Sequence, residues 1–426
     1  MAQLSDDCFA FGGELMRASE ALEILARRIQ PVAAHESVNL AHARGRVLAA
    51  DVVAGRDVPP HDNVAVDGYA VRFDDLNPTG ETGLKVGPRV AAGEVLERAV
   101  EPGVAVRVFT GAMLPPGTDT VYMQEDCRVE TAPGGGPEGS IVSLPPGLKR
   151  GANRRKAGED VRAGSTILPR GRRLRAQDIG LAASVGVSAL EVHRRLRVAL
   201  FSTGDELREP GEATGPGAVF DANRYVLMAL LGGLGAEVED FGIVPDRLEA
   251  IERTLARAAG RVDAIVTSGG MSTGDEDHVR AAVTRLGSIH FWRLAIRPGR
   301  PVALGQVAGV PFIGLPGNPV AMMVTFLRFA RPVLLKLGGA TDIDPIFYRV
   351  CAGFTMTKKH GRREWVRARL SPGADGAPVA TKFPRDGAGI LTSLVESDGL
   401  VELDEETTEV EAGAMVDFLP FSEVAP

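Results

Sequence analysis

Cysteine, histidine and long apolar runs are scarce in this sequence. The three cysteines, Cys8, Cys127 and Cys351, lie far apart and form no CxxC pair, so we predict neither a disulfide framework nor a zinc ribbon. The seven histidines are scattered and form no HExxH motif. No basic region followed by an apolar one opens the sequence, and every apolar run ends well short of a membrane span. We therefore expect a protein of the reducing cytoplasm.

Aromatic residues and net positive charge are also lacking. Aromatic side chains make up 5% of the 426 residues and the formal net charge is −7, which argues against a nucleic-acid surface. A hydrophobic content of 44% with 24% charged residues is typical of globular proteins, and the length predicts roughly three domains. An acidic protein that binds an anion needs either a local basic pocket or a divalent cation.

The most informative stretch is residues 262–281, which read VDAIVTSGGMSTGDEDHVRA. Apart from Asp263, its first six residues form a short apolar run rich in β-branched side chains, which predicts a buried strand. Small and polar residues follow, among them Ser268, Gly269, Gly270, Ser272 and Asp275. A strand, a glycine-rich turn and a helix start with Asp275 as its N-cap would form a cradle for an oxyanion. The alternative is an ordinary βα turn, and neither familiar nucleotide-binding fingerprint is present.

A second stretch, residues 291–320, supports the anion-binding interpretation. Arg293, Arg297 and Arg300 lie between two apolar strands beside stiffening prolines, and a planar guanidinium suits a tetrahedral oxyanion. The second of these strands leads into a PGNP turn and a long helix through Leu337. Two such turns at the ends of neighbouring strands should face one crevice.

Alternating strands and helices over residues 196–338 predict a doubly wound, mostly parallel α/β domain. Asp205, Glu206 and Asp246 follow predicted strands, and carboxylates near arginines suit a Mg²⁺ ion that bridges to a phosphorylated ligand. The alternative is that Asp246 and Asp275 only cap helices.

The remaining chain predicts three further domains. Residues 53–147 read as an inserted, barrel-like β-domain, residues 14–52 with 148–195 as a mixed α/β domain, and residues 339–426 as a C-terminal β-barrel-like domain. The basic stretch 149–175 is broken by glycines and favours a solvated, turn-rich segment over a nucleic-acid surface.

Three polar residues in these domains are weaker candidates. Asp67 lies in a proline-rich loop, where it is either a site carboxylate or a turn residue. Thr110 lies where a strand meets a turn, and the sequence alone slightly favours a capping role over ligand binding. Ser393 follows a glycine-rich turn in the C-terminal domain.

Seven stretches together resemble one family, the molybdopterin molybdenumtransferases of the MoeA type, also seen as the E domain of gephyrin. They read DNVAVDGYAVR, FTGAMLPPGTDTVYMQED, GANRRKAGEDV, ALFSTGDEL, TSGGMSTGDEDHV, LAIRPGRPVALG and GLPGNPV, in the family's order. The C-terminal domain matches only loosely. The resemblance implies a multidomain fold of α/β plus β domains, in which 196–338 is the molybdopterin-binding domain.

The resemblance also implies a reaction and its partners. The family takes adenylylated molybdopterin and molybdate, inserts molybdenum at the dithiolene and releases AMP with the help of Mg²⁺. An elongated homodimer is implied, with molybdopterin adenylyltransferase and molybdoenzyme maturation proteins as partners, and with no nucleic acid or membrane.

Site residues are carried over by motif position. The predicted catalytic residues are Asp67, Thr110, Asp160, Glu206, Asp246, Asp277, Arg293 and Arg297. The predicted substrate-binding residues are Ser268, Gly269, Gly270, Ser272, Asp275, Arg300, Pro316, Asn318, Pro319 and Ser393. Asp205 and Glu206 are the predicted Mg²⁺ ligands.

Two departures from the family pattern bear on the substrate. Arginines at 293, 297 and 300 stand where the family usually has lysines, which could retune oxyanion choice. Val64 and Val66 stand where it usually has serine and methionine, and the lost hydroxyl could remove a hydrogen bond of about 0.5–1.5 kcal/mol. A tungstate-selective paralogue and a non-catalytic molybdopterin-binding or scaffold protein are therefore the alternatives, and the retained carboxylates favour the enzyme.

Overall fold

The structure of the chain is a computed structural model, and it describes residues 16–130, 139–270, 278–292, 294–299 and 302–425. The chain forms two compact units. Unit 1 comprises the residues up to Ala50, Arg170–Arg175 and Leu190 onward, and unit 2 comprises Asp51–Pro169 and Ala176–Ala189. The predicted four-domain division is finer than these two units and stays a prediction.

The centre of unit 1 is a six-stranded sheet whose strands alternate with helices. Its strands are β1 Arg197–Thr203, β2 Glu237–Val244, β3 Ala264–Ser268, β4 Gly287–Trp292, β5 Val302–Val307 and β6 Val310–Leu315. Its helices are α1 Ala222–Gly233, α2 Leu248–Ala259, α3 His278–Leu286, α4 Pro319–Thr325, a π-helix Phe326–Ala330 and α5 Arg331–Leu337. The strand order is β2-β1-β3-β6-β5-β4, parallel through β6 and antiparallel beyond it. The predicted doubly wound α/β domain is confirmed.

Both faces of this sheet are buried, which explains why its strands read as continuous apolar runs. Val198 and Leu200 of β1 pack into a core with α1 and the 319–337 helices, while Ala199 and Phe201 pack on the other face against α2 and α3. The apolar face of α2 follows helical spacing, with Ile251 and Leu255 fully buried.

Helix starts decide between the two interpretations of Asp246. Asp221 caps α1, since its side chain accepts from the Arg224 N–H at 3.1 Å. The N-cap of α2 is Arg247, which makes no side-chain capping bond. The alternative that Asp246 is a helix cap is therefore wrong.

The C-terminal part of unit 1 is a closed β-barrel. Five strands pair in a ring, and a sixth short strand, Ile296–Arg297, adds to one of them. The ring strands are Tyr348–Ala352, Arg363–Pro372, Pro378–Lys382, Gly399–Leu403 and Met415–Pro420. The predicted barrel-like C-terminal domain is confirmed.

Unit 2 contains a six-stranded sheet rather than the predicted barrel-like domain. The strands in spatial order are Thr120–Met123, Gly68–Val71, Val104–Val108, Thr82–Val90, Ile141–Leu144 and Arg128–Glu130. The two outer strands, 120–123 and 128–130, do not pair with each other in the part of the chain that the structure describes. Separate apolar clusters cover the two faces, so the sheet buries its strands without closing.

Short elements complete both units. Unit 1 adds helices Ala18–Arg28, Thr392–Val395 and Phe421–Val424, the 3₁₀ turn Leu40–His42, and the strand pairs His35–Asn39 with Ala189–His193, Leu207–Arg208 with Val219–Phe220, and Met356–Thr357 with Glu409–Val410. Unit 2 adds helix Ala176–Ser184, 3₁₀ turns Phe73–Asp75 and Gln124–Asp126, and the pairs Val52–Val53 with Thr166–Leu168 and Asn63–Val64 with Arg154–Arg155. No helix in the described ranges has both the length and the apolar character that crossing a bilayer would take.

A buried ion pair anchors the start of the α/β sheet, and it predicts a pH-dependent stability. Arg194 donates to both oxygens of Asp263 at 2.6 Å, and the Arg197 N–H adds a third bond at 2.8 Å. The Asp263 side chain is 8% exposed, and these bonds outweigh burial and lower the pKa of its carboxyl. Asp263→Asn should lower the free energy of unfolding at pH 7 by roughly 3 kcal/mol, because Arg194 loses its buried partner.

The pH dependence of this difference follows from the sign of the shift. A lowered folded-state pKa makes the stabilisation full above about pH 4 and lost as the pH falls through the lowered value. Urea unfolding of both proteins at several pH values measures it, with the exposed turn variant Asp375→Asn as control. Equal stability of wild type and Asp263→Asn at pH 7 would contradict the argument.

Candidate functional site

Three carboxylates collect at the carboxyl ends of β1 and β2. Thr203 and Val244 are register partners at the ends of these parallel strands. Asp205 and Glu206 follow the first strand and Asp246 follows the second, so the sheet brings together residues 40 positions apart. Gly204 has φ +154°, and a Cβ there would lie 2.8 Å from the Glu206 carboxylate oxygens. Glycine at position 204 therefore allows the Glu206 carboxylate to lie close to the backbone of this turn.

Asp246 is the least exposed of these three carboxylates. Burial raises the pKa of the Asp246 carboxyl, and the nearby negative charges of Asp205 and Glu206 raise it further, against His278 and Thr203, which lower it. Its Oδ1 is buried without a hydrogen-bond partner among the described residues. A hard cation with oxygen ligands such as Mg²⁺ would fit this donor set.

The described carboxylates do not by themselves complete a metal site. No group of three or more His, Cys, Asp or Glu side chains close enough to hold a metal is found within the described ranges. Two further candidate carboxylates, Asp275 and Asp277, lie outside the described residues, as do Ser272, Arg293 and Arg300.

The two glycine turns of the sequence meet, as predicted. β3 and β6 are neighbours, and the Gly269 N–H donates to the Leu315 carbonyl at 3.2 Å. Gly269 has φ +90°, and a Cβ there would lie 2.5 Å from the Thr203 carbonyl oxygen. A Cβ at Gly317 would lie 3.8 Å from the Gly269 Cα. The turn after Ser268 therefore lies against both the β1 end and the PGNP turn.

Asn223 joins these turns, and the sequence analysis missed it. Its Nδ2 donates to Ser268 Oγ at 2.9 Å and to the Gly317 carbonyl at 2.7 Å. Ser268 Oγ in turn donates to the Pro316 carbonyl at 3.3 Å, so this hydroxyl holds the turns together. Asn223 Oδ1 is buried without a partner in the described part of the chain, which leaves an acceptor for a ligand N–H. The signal was a polar Asn-Arg pair in the first turn of an otherwise apolar helix.

Arg297 lines a basic pocket of ≈ 450 Å³ in unit 1. Four cationic side chains and two carboxylates are among the described lining residues: Arg297, Arg362, Arg367, Lys382, Glu364 and Asp386. Lys382 pairs with Asp386 at 3.0 Å, and Arg362 and Arg297 pair with Glu364, the latter at 3.5 Å. The pocket therefore carries a net charge of +2 from its described side chains.

Arg367 is the most buried of these cations. It is 8% exposed and donates to the Gly387 carbonyl at 2.7 Å. Burial lowers the pKa of its guanidinium, and the charge of Arg297 lowers it further, while Asp386 raises it. Two guanidinium groups that repel each other across a pocket are stabilised by an anion between them.

The sequence analysis missed Arg367 and Lys382 because they lie in the loosely matching C-terminal domain. The available signal was an arginine within the strand REWVRARL, whose neighbours are mostly apolar.

This pocket adjoins the PGNP helix but differs from the predicted anion site. The Val320 N–H donates to the carbonyl of Ala388, which lines the pocket, at 2.9 Å. The prediction placed the anion between the arginines and the 268–275 turn. The described lining contains Arg297 but no residue of that turn up to Gly270, because the barrel rather than the βα turn supplies the opposite wall.

In unit 2, Asp67 and Thr110 form a pair. Asp67 Oδ1 accepts from the Thr110 N–H at 2.8 Å and from its hydroxyl at 2.7 Å. These two bonds lower the pKa of the Asp67 carboxyl. The Thr110 hydroxyl thus bonds to a residue 43 positions away instead of capping its own turn, which the sequence slightly favoured. Asp160 is exposed.

Two predicted roles fit the structure poorly. Ser393 is fully buried and its hydroxyl donates to the Ile390 carbonyl, which argues against direct substrate contact. Val64 is fully buried in an apolar cluster, so a hydroxyl at this position would point into the core rather than toward a ligand. Asn318 and Pro319 begin α4 as the PGNP motif predicts, with Pro316 buried before them.

Comparison with protein families defines the class of protein. The MoeA N-terminal region (domain I and II) matches residues 16–186, the probable molybdopterin binding domain matches 199–336, and the MoeA C-terminal region (domain IV) matches 349–421. The chain thus has the architecture of a multidomain MoeA-type protein.

Curated relatives are similar over most of their length. A molybdopterin molybdenumtransferase of Haemophilus influenzae is 35% identical over 91% of this chain and 94% of that protein, and one from Nostoc is 40% identical over 89% and 87%. The crystal structure of the molybdopterin biosynthesis MoeA protein from Pyrococcus horikoshii OT3 has a TM-score of 0.80 at 29% identity, covering 96% of this chain and 100% of that one. The chain belongs to the molybdopterin molybdenumtransferase family.

This result confirms the predicted family, fold class and assignment as a transferase of molybdenum cofactor biosynthesis.

Proposed function

We propose that this protein inserts molybdenum from molybdate into the dithiolene of adenylylated molybdopterin and releases AMP in a Mg²⁺-dependent reaction. The observation that carries the proposal is the net charge of +2 that the described side chains give the Arg297 pocket, which is equal and opposite to the charge of a molybdate dianion. The relatives named as molybdopterin molybdenumtransferases supply the reaction class.

The pocket's arginines bind and orient the oxyanion. Arg367 is held by backbone carbonyls and presents a fixed guanidinium, while the half-exposed Arg297 closes on the anion from the other side. Lys382 adds its ammonium charge when the anion replaces Asp386 as the partner of this group. Fixed donors of this kind stabilise negative charge without reorganising during the reaction.

The carboxylate edge binds the cation that accompanies the pyrophosphate. Asp246, Asp205 and Glu206 would hold Mg²⁺, and the orphaned Oδ1 of Asp246 is the strongest support for this assignment. When bound, Mg²⁺ neutralises phosphate charge and favours departure of AMP.

The glycine turns bind the organic part of the substrate. Asn223 Oδ1, which has no partner among the described residues, offers an acceptor beside the turn that follows Ser268. Asp67, Thr110 and Asp160 of unit 2 remain predicted site residues.

The wild-type reaction tests this function. Purified protein with adenylylated molybdopterin, molybdate and Mg²⁺ should release AMP and yield a cofactor that reconstitutes a molybdenum-free apo-enzyme. Omitting either molybdate or Mg²⁺ should reduce AMP release to background. AMP release no higher than background with all components present would contradict the proposal. Unchanged AMP release without molybdate would show that the protein only hydrolyses the adenylylated substrate.

The preferred oxyanion, the cellular location, the oligomeric state and the partners of the protein are also proposals. Tungstate has the same charge and shape as molybdate, so competition between the two anions at equal concentration decides which is preferred. We further propose a cytoplasmic homodimer that receives its substrate from molybdopterin adenylyltransferase and passes its product to molybdoenzyme maturation proteins.

A further inference from the structure

We propose that the Arg224–Glu209 ion pair is a positioning device for the metal-binding turn, and that Glu209 sets the affinity for the divalent cation without touching it. This inference rests on the proposed function, because it takes Asp205, Glu206 and Asp246 as the cation ligands. It assigns a role to a buried charge cluster that the sequence motifs do not include.

Arg224 is a buried hub for three carboxylates. Its side chain is 3% exposed and lies in the first turn of α1. It bonds to Asp221 through Nε at 3.1 Å, to Asp240 through Nη1, and to both oxygens of Glu209 through Nη2, one of them at 2.5 Å. One guanidinium thus ties together the start of α1, strand β2 and the segment after Glu206.

The three carboxylates differ in what they anchor. Asp221 is the N-cap of α1 and Asp240 lies within β2, so both belong to the rigid body of the sheet. Glu209 lies three residues after Glu206, on the segment that carries both predicted cation ligands. Only the Glu209 bond therefore connects that segment to Arg224.

The rest of the segment is held mainly by backbone bonds. The Leu207 N–H closes a turn onto Gly204 at 3.0 Å, the Val219 N–H donates to the Glu206 carbonyl at 2.8 Å, and the Asp221 N–H donates to the Arg208 carbonyl at 3.0 Å. The side chains of Asp205 and Glu206 are exposed. The Glu209 ion pair adds to the backbone bonds a charged tether that ends on a buried arginine.

The physical consequence concerns cation affinity. Three carboxylates that repel one another will spread apart unless their backbone is fixed, and spreading reduces the oxygen density that a small cation needs. Supporting contacts of this kind typically change metal affinity by about 10–100-fold when removed.

The chain offers a matched control. Glu209 and Asp240 are partners of the same guanidinium, and both side chains are 35% exposed. Glu209→Ala and Asp240→Ala each leave Arg224 with two carboxylates, so both variants should fold. They differ in whether the lost bond reaches the cation-binding segment.

The experiment compares three variants of the full chain by Mn²⁺ binding, followed through water proton relaxation, and by amide hydrogen exchange. Glu209→Ala should weaken Mn²⁺ binding about tenfold and speed exchange of the Leu207 and Val219 amides at least tenfold, while Asp240→Ala changes both less than twofold. Equal effects of the two variants would overturn the inference and make Glu209 merely structural.

The third variant, Asp246→Asn, separates this inference from the proposed function. If Asp246→Asn abolishes Mn²⁺ binding while Glu209→Ala matches Asp240→Ala, the positioning role alone fails. If Asp246→Asn leaves Mn²⁺ binding unchanged, the cation site itself is misplaced and both proposals fall.

Discussion

Arg367→Ala should raise the molybdate concentration needed for half-maximal AMP release by about 100-fold. Arg367 is the buried cation of the Arg297 pocket, and its fork can donate two charge-assisted bonds to one oxyanion. Hydrogen bonds to charged groups contribute about 1.5–3 kcal/mol each, and about 3 kcal/mol in total corresponds to roughly 100-fold in affinity. Titration of AMP release with molybdate at saturating Mg²⁺ measures the effect.

Two further variants serve as controls for Arg367→Ala. Arg369→Ala removes an exposed arginine two residues along the same strand that does not line the Arg297 pocket, so it should leave the molybdate titration unchanged. Arg367→Lys keeps the charge but loses the fork and should fall between wild type and alanine. A wild-type molybdate titration for Arg367→Ala would remove the pocket from the mechanism.

Asp246→Asn should slow the Mg²⁺-dependent reaction strongly without destabilising the protein. Removing one charge from a site where Asp205 and Glu206 already raise the pKa of Asp246 relieves repulsion, so the Tm should equal or exceed that of the wild type. Loss of a cation ligand should lower the rate of AMP release at millimolar Mg²⁺ by roughly 100-fold, which corresponds to about 2.7 kcal/mol of transition-state stabilisation.

Glu237→Gln is the control for Asp246→Asn. Glu237 is exposed at the opposite end of the same strand, β2, so its neutralisation tests the effect of net charge alone. Calorimetry and an Mg²⁺ titration of AMP release should show wild-type behaviour. A lowered Tm together with partial activity for Asp246→Asn would indicate a structural carboxylate instead of a cation ligand.

The α/β part of the fold could be predicted because its residues follow simple periodicities. The β-branched run before Ser268 gives a strand and the Leu248, Ile251, Leu255 spacing gives a helix, as found. The sequence limits the possible orders of the strands in the sheet but does not select one, since the order depends on packing between distant segments. Even so, the expectation that two glycine turns end neighbouring strands is confirmed by the β3–β6 pairing.

The site could be predicted only where its chemistry is local in sequence. Asp205, Glu206 and the 268–270 turn carry recognisable patterns, whereas Arg367 and Asn223 are single polar residues in ordinary elements. Their roles arise from burial and from partners far along the chain, such as Ser268 and Gly317 for Asn223. The expectation that the hydroxyl missing at Val64 removes a ligand hydrogen bond was wrong for the same reason. The loop motif does not reveal that this side chain is buried in a core.

The most direct test of the central claim is the position of molybdenum in crystals of this protein soaked with molybdate, located by anomalous scattering at the molybdenum edge. The account predicts an anomalous peak within hydrogen-bond reach of the guanidinium groups of Arg297 and Arg367. Molybdenum bound elsewhere, with these two arginines paired only to Glu364 and to backbone carbonyls, would contradict it.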